Sequence, residues 1–501
     1  MDSKLLIVIA VVAVAAVGGG AYFLMQGGDS SDAFSPGAYP DTYLTVLGNA
    51  DNDLDIDVDD VTAIQALIDS TDPYEYKNVY MYDANFDGVI DSKDVDKVNA
   101  IVASLASGDW TAVGKVHYVN VDKVIAHYDM TKGNKVITLI APPLDSVLAM
   151  GGKELVVGFD SRIESSGKYY PEYAKTLDYT NPYLVGSCND PRTEVITQAA
   201  SDLGSINVVC GNQKTYGPTL ESTFNGTNVQ IIRIASWEYG ETMYGFMTLG
   251  FLLKMNEGAM NFYTQYSALE NEIKDFIENH VDASHKVGAA VAYGYDMDSN
   301  TVKLLGKGTG EYANLMQLDP YDSAEAYLNG AATGGHGNQI NGEAVSAMYQ
   351  SNQLKKLIFL IGTPFQVKTA SGDAESTQAK IAQFYDHWET TFGLDDMTGL
   401  EYCIAGYSFS SGVSEVLNRL VLSYYLYTED FVAWKGSDSA ARTYIQDKID
   451  WYCEYMDIDA IWGYNAADEH HLGMNLLYCG ADDPRNIMNG AASGSVNVDT
   501  L

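Results

Sequence analysis

Basic residues are scarce in this chain. Against 67 Asp and Glu there are 29 Lys and Arg among 501 residues, a formal charge of −38 at pH 7. Phosphate binding needs clustered cations, so the sequence excludes nucleic acid and disfavours anionic lipid as partners. Cysteine is scarce too. Cys188, Cys210, Cys403, Cys453 and Cys479 are widely spaced and never form Cys-x-x-Cys, which removes the usual zinc and redox spacings. One or two disulfides stay open to an exported chain with five cysteines, and their pairing is not legible. Only eight His occur. The densest group, Asp468-Glu469-His470-His471, is not His-Glu-x-x-His, so bare-metal binding is disfavoured. Gly306-Lys-Gly308-Thr-Gly310 lacks phosphate-loop spacing, and no Gly-x-Ser-x-Gly elbow precedes a helix. Paired carboxylates for glycoside cleavage stay open in so acidic a chain.

Apolar residues, at 46% of the chain, are ample, and the length implies two or three domains. From Leu5 to Met25 the chain is apolar or glycine. That is bilayer-spanning length, about 20 residues. Lys4 before it, with Asp29 and Asp32 after, places the bulk of the chain outside. No cysteine follows closely for lipid attachment. A transmembrane anchor over residues 5–25 is favoured over a cleaved signal, and either exports the protein. Residues 26–41, rich in Gly, Ser, Asp and Pro, read as a flexible tether.

Residues 42–107 hold an internal repeat. One loop runs Asp83-Ala-Asn85-Phe-Asp87-Gly88-Val89-Ile90-Asp91-Ser-Lys-Asp94. Oxygens fall at loop positions 1, 3, 5 and 12, with the Val89 carbonyl at 7 and glycine at 6 for the sharp turn. Calcium wants six to eight hard oxygens, and this spacing folds them around one point. The earlier loop, Asn49-Ala-Asp51-Asn-Asp53-Leu54-Asp55-Ile56-Asp57-Val-Asp-Asp60, repeats the pattern. Candidate ligands there are Asn49, Asp51, Asp53, Asp55 and Asp60. Leu54 replaces the turn glycine, which predicts strain and a weaker site. Each loop leads into an amphipathic stretch, Val61–Ile68 and Val95–Val102.

Two loop–helix units, with Asp at position 12 and no helix entering the first loop, resemble the dockerin module. The resemblance implies two bound Ca²⁺ ions, calcium-dependent folding of a small all-α module, and docking onto a cohesin-type partner. Loop positions 10 and 11, which help set partner choice in dockerins, are Val58-Asp59 and Ser92-Lys93. They differ, so the usual near-symmetry of the repeats is missing.

After a short segment at Trp110–Lys132, apolar runs alternate with helix-like stretches, which indicates an α/β architecture. Strands are expected at Val136–Ala141, Glu154–Phe159, Ile206–Cys210, Val229–Ile234, Lys286–Tyr293 and Lys356–Gly362. A long helical stretch spans about Met243 to His280, with a break near Asn256-Glu257-Gly258. The order strand, Pro142-Pro143, helix through Val147-Leu148 to Gly151, then Val156-Val-Gly158-Phe-Asp160, resembles the substrate-binding proteins of ABC importers in the iron-siderophore, haem and cobalamin class. Thr193–Cys210 and the helix Asn261–His280 extend the match.

The resemblance implies a two-lobed α/β substrate-binding fold, with lobes at 133–260 and 286–480, a linking helix at 261–285, and a flexible tail at 489–501. It implies capture of a small metal chelate for an ABC permease, and no enzymatic activity. Loops at strand ends would line the cleft. They carry Tyr169, Tyr170, Arg192, Trp237, Tyr239, Tyr312, His336 and Tyr407. Aromatics suit a planar or macrocyclic ligand, and arginine suits an anionic chelate. A dockerin-displayed glycan-acting enzyme and a non-catalytic surface adhesin or scaffold are the alternatives. Asn225-Gly-Thr227 has the form of a glycan acceptor.

Overall fold

The computed structural model describes residues 34–70, 78–161, 183–237, 240–294, 300–329, 338–361, 377–406, 412–458 and 474–489. The apolar run at 5–25, the first part of the tether and the residues 490–501 lie outside the described residues. Among the described residues no helix is long and apolar enough to cross a membrane.

Both acidic loops end in helices, α1 (Val58–Asp69) and α2 (Ser92–Ser107). Their starts are set by reciprocal caps. The Asp57 side chain caps α1 while Asp60 reaches back to the Asp57 N–H, and Asp91 and Asp94 repeat this at α2. Such caps satisfy amides the helix cannot pair internally. Gly108, at φ 76°, ends α2 in the left-handed region.

The segment expected only as a lead-in at 110–132 is a hairpin of β1 (Lys115–Val119) and β2 (Ile125–Asp129). Residues 45–47 add to its edge. Leu47 N–H donates to His117 O at 2.8 Å, and Val119 N–H donates to Thr45 O at 2.9 Å.

The first lobe is a five-stranded parallel sheet in the order β5-β4-β3-β8-β9. Its strands are β3 (Val136–Thr138), β4 (Val156–Phe159), β5 (Tyr183–Leu184), β8 (Ile206–Cys210) and β9 (Val229–Arg233). A short hairpin, β6 (Gly186–Ser187) with β7 (Asp190–Pro191), lies between β5 and β8. Strands β3 and β8 are buried throughout, as expected of a parallel sheet covered on both faces. Helix α3 (Ala141–Ala149) starts with Pro142 and Pro143, where a missing N–H costs nothing. Helix α4 (Thr193–Leu203) packs on the sheet over β5, β8 and β9.

Two helices follow, α5 (Thr242–Leu252) and α6 (Asn256–Asn279). The break between them falls at Leu253–Met255, just before the expected place. Gly258 then lets α6 approach α3: a Cβ there would stand 2.0 Å from the Met150 carbonyl oxygen.

The second lobe is a mixed sheet in the order β13-β11-β10-β14-β15-β16-β17, with β12 also paired to β10. Strands β10 (Gly288–Gly294), β12 (Tyr321–Asp322), β14 (Leu354–Ile361) and β15 (Glu401–Gly406) are parallel. Strands β11 (Val302–Leu304), β13 (Asn338–Ile340), β16 (Met474–Tyr478) and β17 (Ile487–Asn489) pair antiparallel. Its helices include α7 (Gly310–Met316), α8 (Thr377–Phe392), α9 (Glu415–Leu426), α10 (Thr428–Lys435) and α11 (Asp438–Met456).

The acidic-loop region is not a bead on a string. Its core residues, Val46, Ile64, Met81, Val98 and Ile101, belong to one apolar cluster with Phe246 of α5, Phe262 of α6 and Tyr424 of α9. Thr45 hydrogen-bonds Thr248 of α5, and Trp110 meets Phe251 edge-on at 5.8 Å. The small all-α module expected from sequence is thus joined to the hairpin and to the linking helices. The described end of the tether is docked as well. Tyr39 stacks on Tyr244 at 4.4 Å, and Ile125 N–H donates to the Phe34 carbonyl at 2.9 Å. Each of these contacts buries apolar surface that a free module would leave in water.

Candidate functional site: two acidic loops and the cleft between the lobes

The second acidic loop wraps its side chains onto its own backbone. Asp83 accepts from Asp87 N–H at 3.1 Å and Gly88 N–H at 2.9 Å. Asn85 accepts from Asp87 N–H at 2.7 Å, and Asp87 from Val89 N–H at 3.0 Å. Gly88 takes φ 85°, the turn for which glycine was expected. Asp94 accepts from Asn85 N–H at 3.1 Å and Asp91 N–H at 2.8 Å. Burial pushes the Asp83 and Asp94 carboxyls up to about 6.

The first loop differs at three points. Leu54 is not at positive φ, so the strain expected there is absent; the left-handed residue is Asn52, matching Phe86 of the second loop. Asn49 donates from Nδ2 to the Leu44 and Asp53 carbonyls, both at 2.9 Å, and its buried Oδ1 has no hydrogen-bond partner. Asp60 accepts three backbone amides, from Ala50, Asp51 and Asp57, and burial raises its carboxyl to about 7.

Among the described residues, the group of carboxylates brought within 4.8 Å of one another is Asp51, Asp57 and Asp59. Of the ligands expected from sequence in this loop, only Asp51 belongs to that group. Asp53 accepts from Asp55 N–H instead, at 2.9 Å. Asp57 and Asp59 occupy positions 9 and 11, where the spacing rule asks for no direct oxygen. The donor chemistry still fits a hard cation. Every candidate atom is oxygen, burial raises the carboxyls of Asp51, Asp55, Asp60, Asp83 and Asp94, and the buried Asn49 Oδ1 lacks a donor.

The candidate cleft lies where chain segments beyond the carboxyl ends of β3, β8 and β9 meet the chain beyond β15. In the first lobe strand order reverses between β3 and β8, which opens a crevice beyond their carboxyl ends. The chain after β8 reaches Gly211 and Asn212, and the chain after β9 reaches Ser236 and Trp237. A Cβ at Gly211 would meet Ser236 Oγ at 2.2 Å and Pro143 at 2.8 Å, so these three loops touch. Gly412, six residues after β15 of the second lobe, packs close to Pro142 and the Ser236 carbonyl.

Arg233, at the end of β9 and 2% exposed, shapes the crevice loop. Its guanidinium donates to the carbonyls of Asn212, Gln213, Tyr216 and Gly217 at 2.9–3.4 Å and pairs with Glu221. Five rigid donors suit this task. Asp122, in the β1–β2 turn, accepts the Lys214 N–H at 3.0 Å and braces the same loop. Both residues escaped sequence reasoning; an arginine closing an apolar strand was the only signal.

Of the expected cleft residues, Tyr169, Tyr170, Tyr239, His336 and Tyr407 lie outside the described residues. Trp237 is half-buried in the loop after β9, and Arg192 is exposed before α4. Tyr312 is a correction. Its ring lies in the core and its hydroxyl donates to Asp322, because α7 turns that face inward. Asp468–His471 also falls outside the described residues, and Asn225 lies exposed beside a turn.

The second lobe is held to α6 by a buried polar cluster. The Tyr266 hydroxyl donates to Glu415 at 2.9 Å. Arg419 donates to Glu270 at 2.8 Å, to the Tyr266 oxygen at 3.1 Å and to Asn314 at 3.3 Å. Burial outweighs the nearby guanidinium and raises the Glu415 carboxyl to about 7.

No protein-family model and no curated protein matches this chain. Among solved structures, it is similar to the TroA-like periplasmic binding protein FepB from Veillonella parvula, at 13% identity and TM-score 0.47, over 68% of this chain and 95% of that one. The molybdate periplasmic binding protein MolA from Haemophilus influenzae aligns at 12% identity and TM-score 0.46, over 68% and 97%. A periplasmic heme binding protein from Pseudomonas aeruginosa aligns at 16% identity and TM-score 0.40, over 59% and 93%. Likenesses of this size assign no ligand.

Proposed function

We propose that the chain is an exported substrate-binding protein of an ABC importer, which captures a small metal chelate of the iron-siderophore, haem or cobalamin type between its lobes. One observation carries this reading: the chain beyond the carboxyl end of β15 in the second lobe brings Gly412 against Pro142 and Ser236, which lie beyond the carboxyl ends of β3 and β9 in the first. Two stiff lobes in that relation form a concave site suited to capture without large movement. Trp237, half-buried in the chain after β9, supports an apolar, planar ligand. Anchoring through residues 5–25 and delivery to a permease complete the proposal.

The acidic loops hold two Ca²⁺ ions in this reading, supported by the oxygen donors and the orphan Asn49 Oδ1. Docking on a cohesin-type partner is supported by exposure of the position-10 and position-11 residues. Val58 is 61% exposed, and the Lys93 side chain 64%.

A thermal-shift screen of the full chain against ferric siderophores, haem, cobalamin and oligosaccharides tests the capture reading. Ligand at 100 times its Kd adds about 2.7 kcal/mol of apparent stability. A stoichiometric shift without turnover is expected with one chelate class. Oligosaccharide turnover and no chelate shift would replace it with the glycan-acting enzyme.

A further inference from the structure

Cys403 lies on β15, and Cys479 immediately follows the neighbouring strand β16. Strands β15 and β16 run antiparallel, with Ile404 opposite Tyr478 and Ala405 opposite Leu477. One step further in that register sets Cys403 opposite Cys479.

Backbone hydrogen bonds fix the kind of pair. The Cys479 N–H donates to Asn486 Oδ1 at 2.7 Å, and its carbonyl accepts the Tyr385 hydroxyl at 2.8 Å. Both groups are therefore engaged away from β15. Cys403 in turn lies opposite Ile358 in the parallel ladder with β14. The two cysteines form a non-hydrogen-bonded antiparallel pair, in which Cα atoms stand about 4.5 Å apart and side chains are closest. A disulfide spans Cα separations of about 4.4–6.8 Å. Both residues are buried, at 0% and 5% exposure, and each is a free cysteine.

We propose that Cys403 and Cys479 form a cross-strand disulfide when the chain folds in an oxidising compartment, tying the β16–β17 edge to the second sheet. The proposal uses the exported location, and neither ligand capture nor calcium binding. The oxidant is a small disulfide carrier of the glutathione disulfide type. One cysteine thiolate attacks it and releases a carrier thiol; the second thiolate displaces the other carrier sulfur. Two thiols of the protein become one disulfide, and the carrier disulfide takes up the two electrons and two protons as two thiols. Burial holds the Cys403 thiol well above its usual range, so exchange takes place before β16 is fully seated.

The test is a disulfide map of the full chain, refolded from denaturant in glutathione and glutathione disulfide. Free thiols are alkylated, and the protein is digested without reductant for mass spectrometry. The expected result is one dominant linked pair, Cys403 with Cys479, and alkylated Cys188, Cys210 and Cys453. Cys403→Ser should leave Cys479 alkylated and create no new pair. Material exported into an oxidising compartment and mapped in the same way decides the matter if refolding fails. Equal alkylation of Cys403, Cys479 and Cys453, or dominant linkage of either cysteine elsewhere, overturns the proposal.

Discussion

Replacing Thr248 by Val tests whether the acidic-loop region and the lobes are one body. Thr248 lies on α5 and is 1% exposed. Its hydroxyl accepts the Thr45 N–H at 3.0 Å and lies 2.9 Å from the Thr45 hydroxyl, which itself donates to the Val119 carbonyl at 2.9 Å. Valine keeps the shape and removes the oxygen. The Thr45 hydroxyl keeps Val119, but its buried N–H loses its acceptor. An unpaired buried donor costs about 1–3 kcal/mol, and the lost hydroxyl–hydroxyl bond about 1 more. Urea unfolding of the full chain at fixed calcium should show a loss of about 2–4 kcal/mol. Hydrogen exchange should quicken together in residues 44–49, in β1 and in α5. A loss below about 0.5 kcal/mol, or faster exchange confined to α5, would refute the shared-core argument.

Three further outcomes are expected. Chelating calcium should lower the melting temperature of the whole chain in one transition, and calorimetry should report two sites, one of them abolished by Asp83→Ala; an unchanged melt of the lobes would contradict the common core. Arg233→Met strips four carbonyls and Glu221 of their donor and should cost about 3–5 kcal/mol in urea unfolding, with faster exchange at residues 211–217. The Glu415 carboxyl, raised to about 7 from 4.5, holds a proton in the folded state that the unfolded chain has released. Its contribution is therefore full below about pH 4.5 and lost as pH rises through about 7, on the order of 3 kcal/mol in all. Glu415→Gln should flatten that slope in a pH series of unfolding curves.

Much of the secondary structure was legible because it is local. Apolar runs such as Ile206–Cys210 and the paired prolines before Val147-Leu148 formed the expected strand and helix. Gly88 took the positive φ that the loop spacing demanded. Leu54 did not, because φ at one position depends on how the neighbouring amides are engaged, and Asn49 redirects the first loop by donating to Asp53. Tyr312 looked like a cleft aromatic since it follows a glycine-rich turn; the rotation of α7 placed it in the core.

The sequence by itself determined the acidic repeat, the sign of the charge, and the strands β3, β4, β8, β9, β10 and β14, all of which depend on residues close together in the chain. Tertiary structure alone decided that the repeat shares a core with the linking helices, that Arg233 organises a loop up to 21 residues away, and that Cys403 meets Cys479. Contacts of that range depend on register and burial, which no short stretch of sequence encodes.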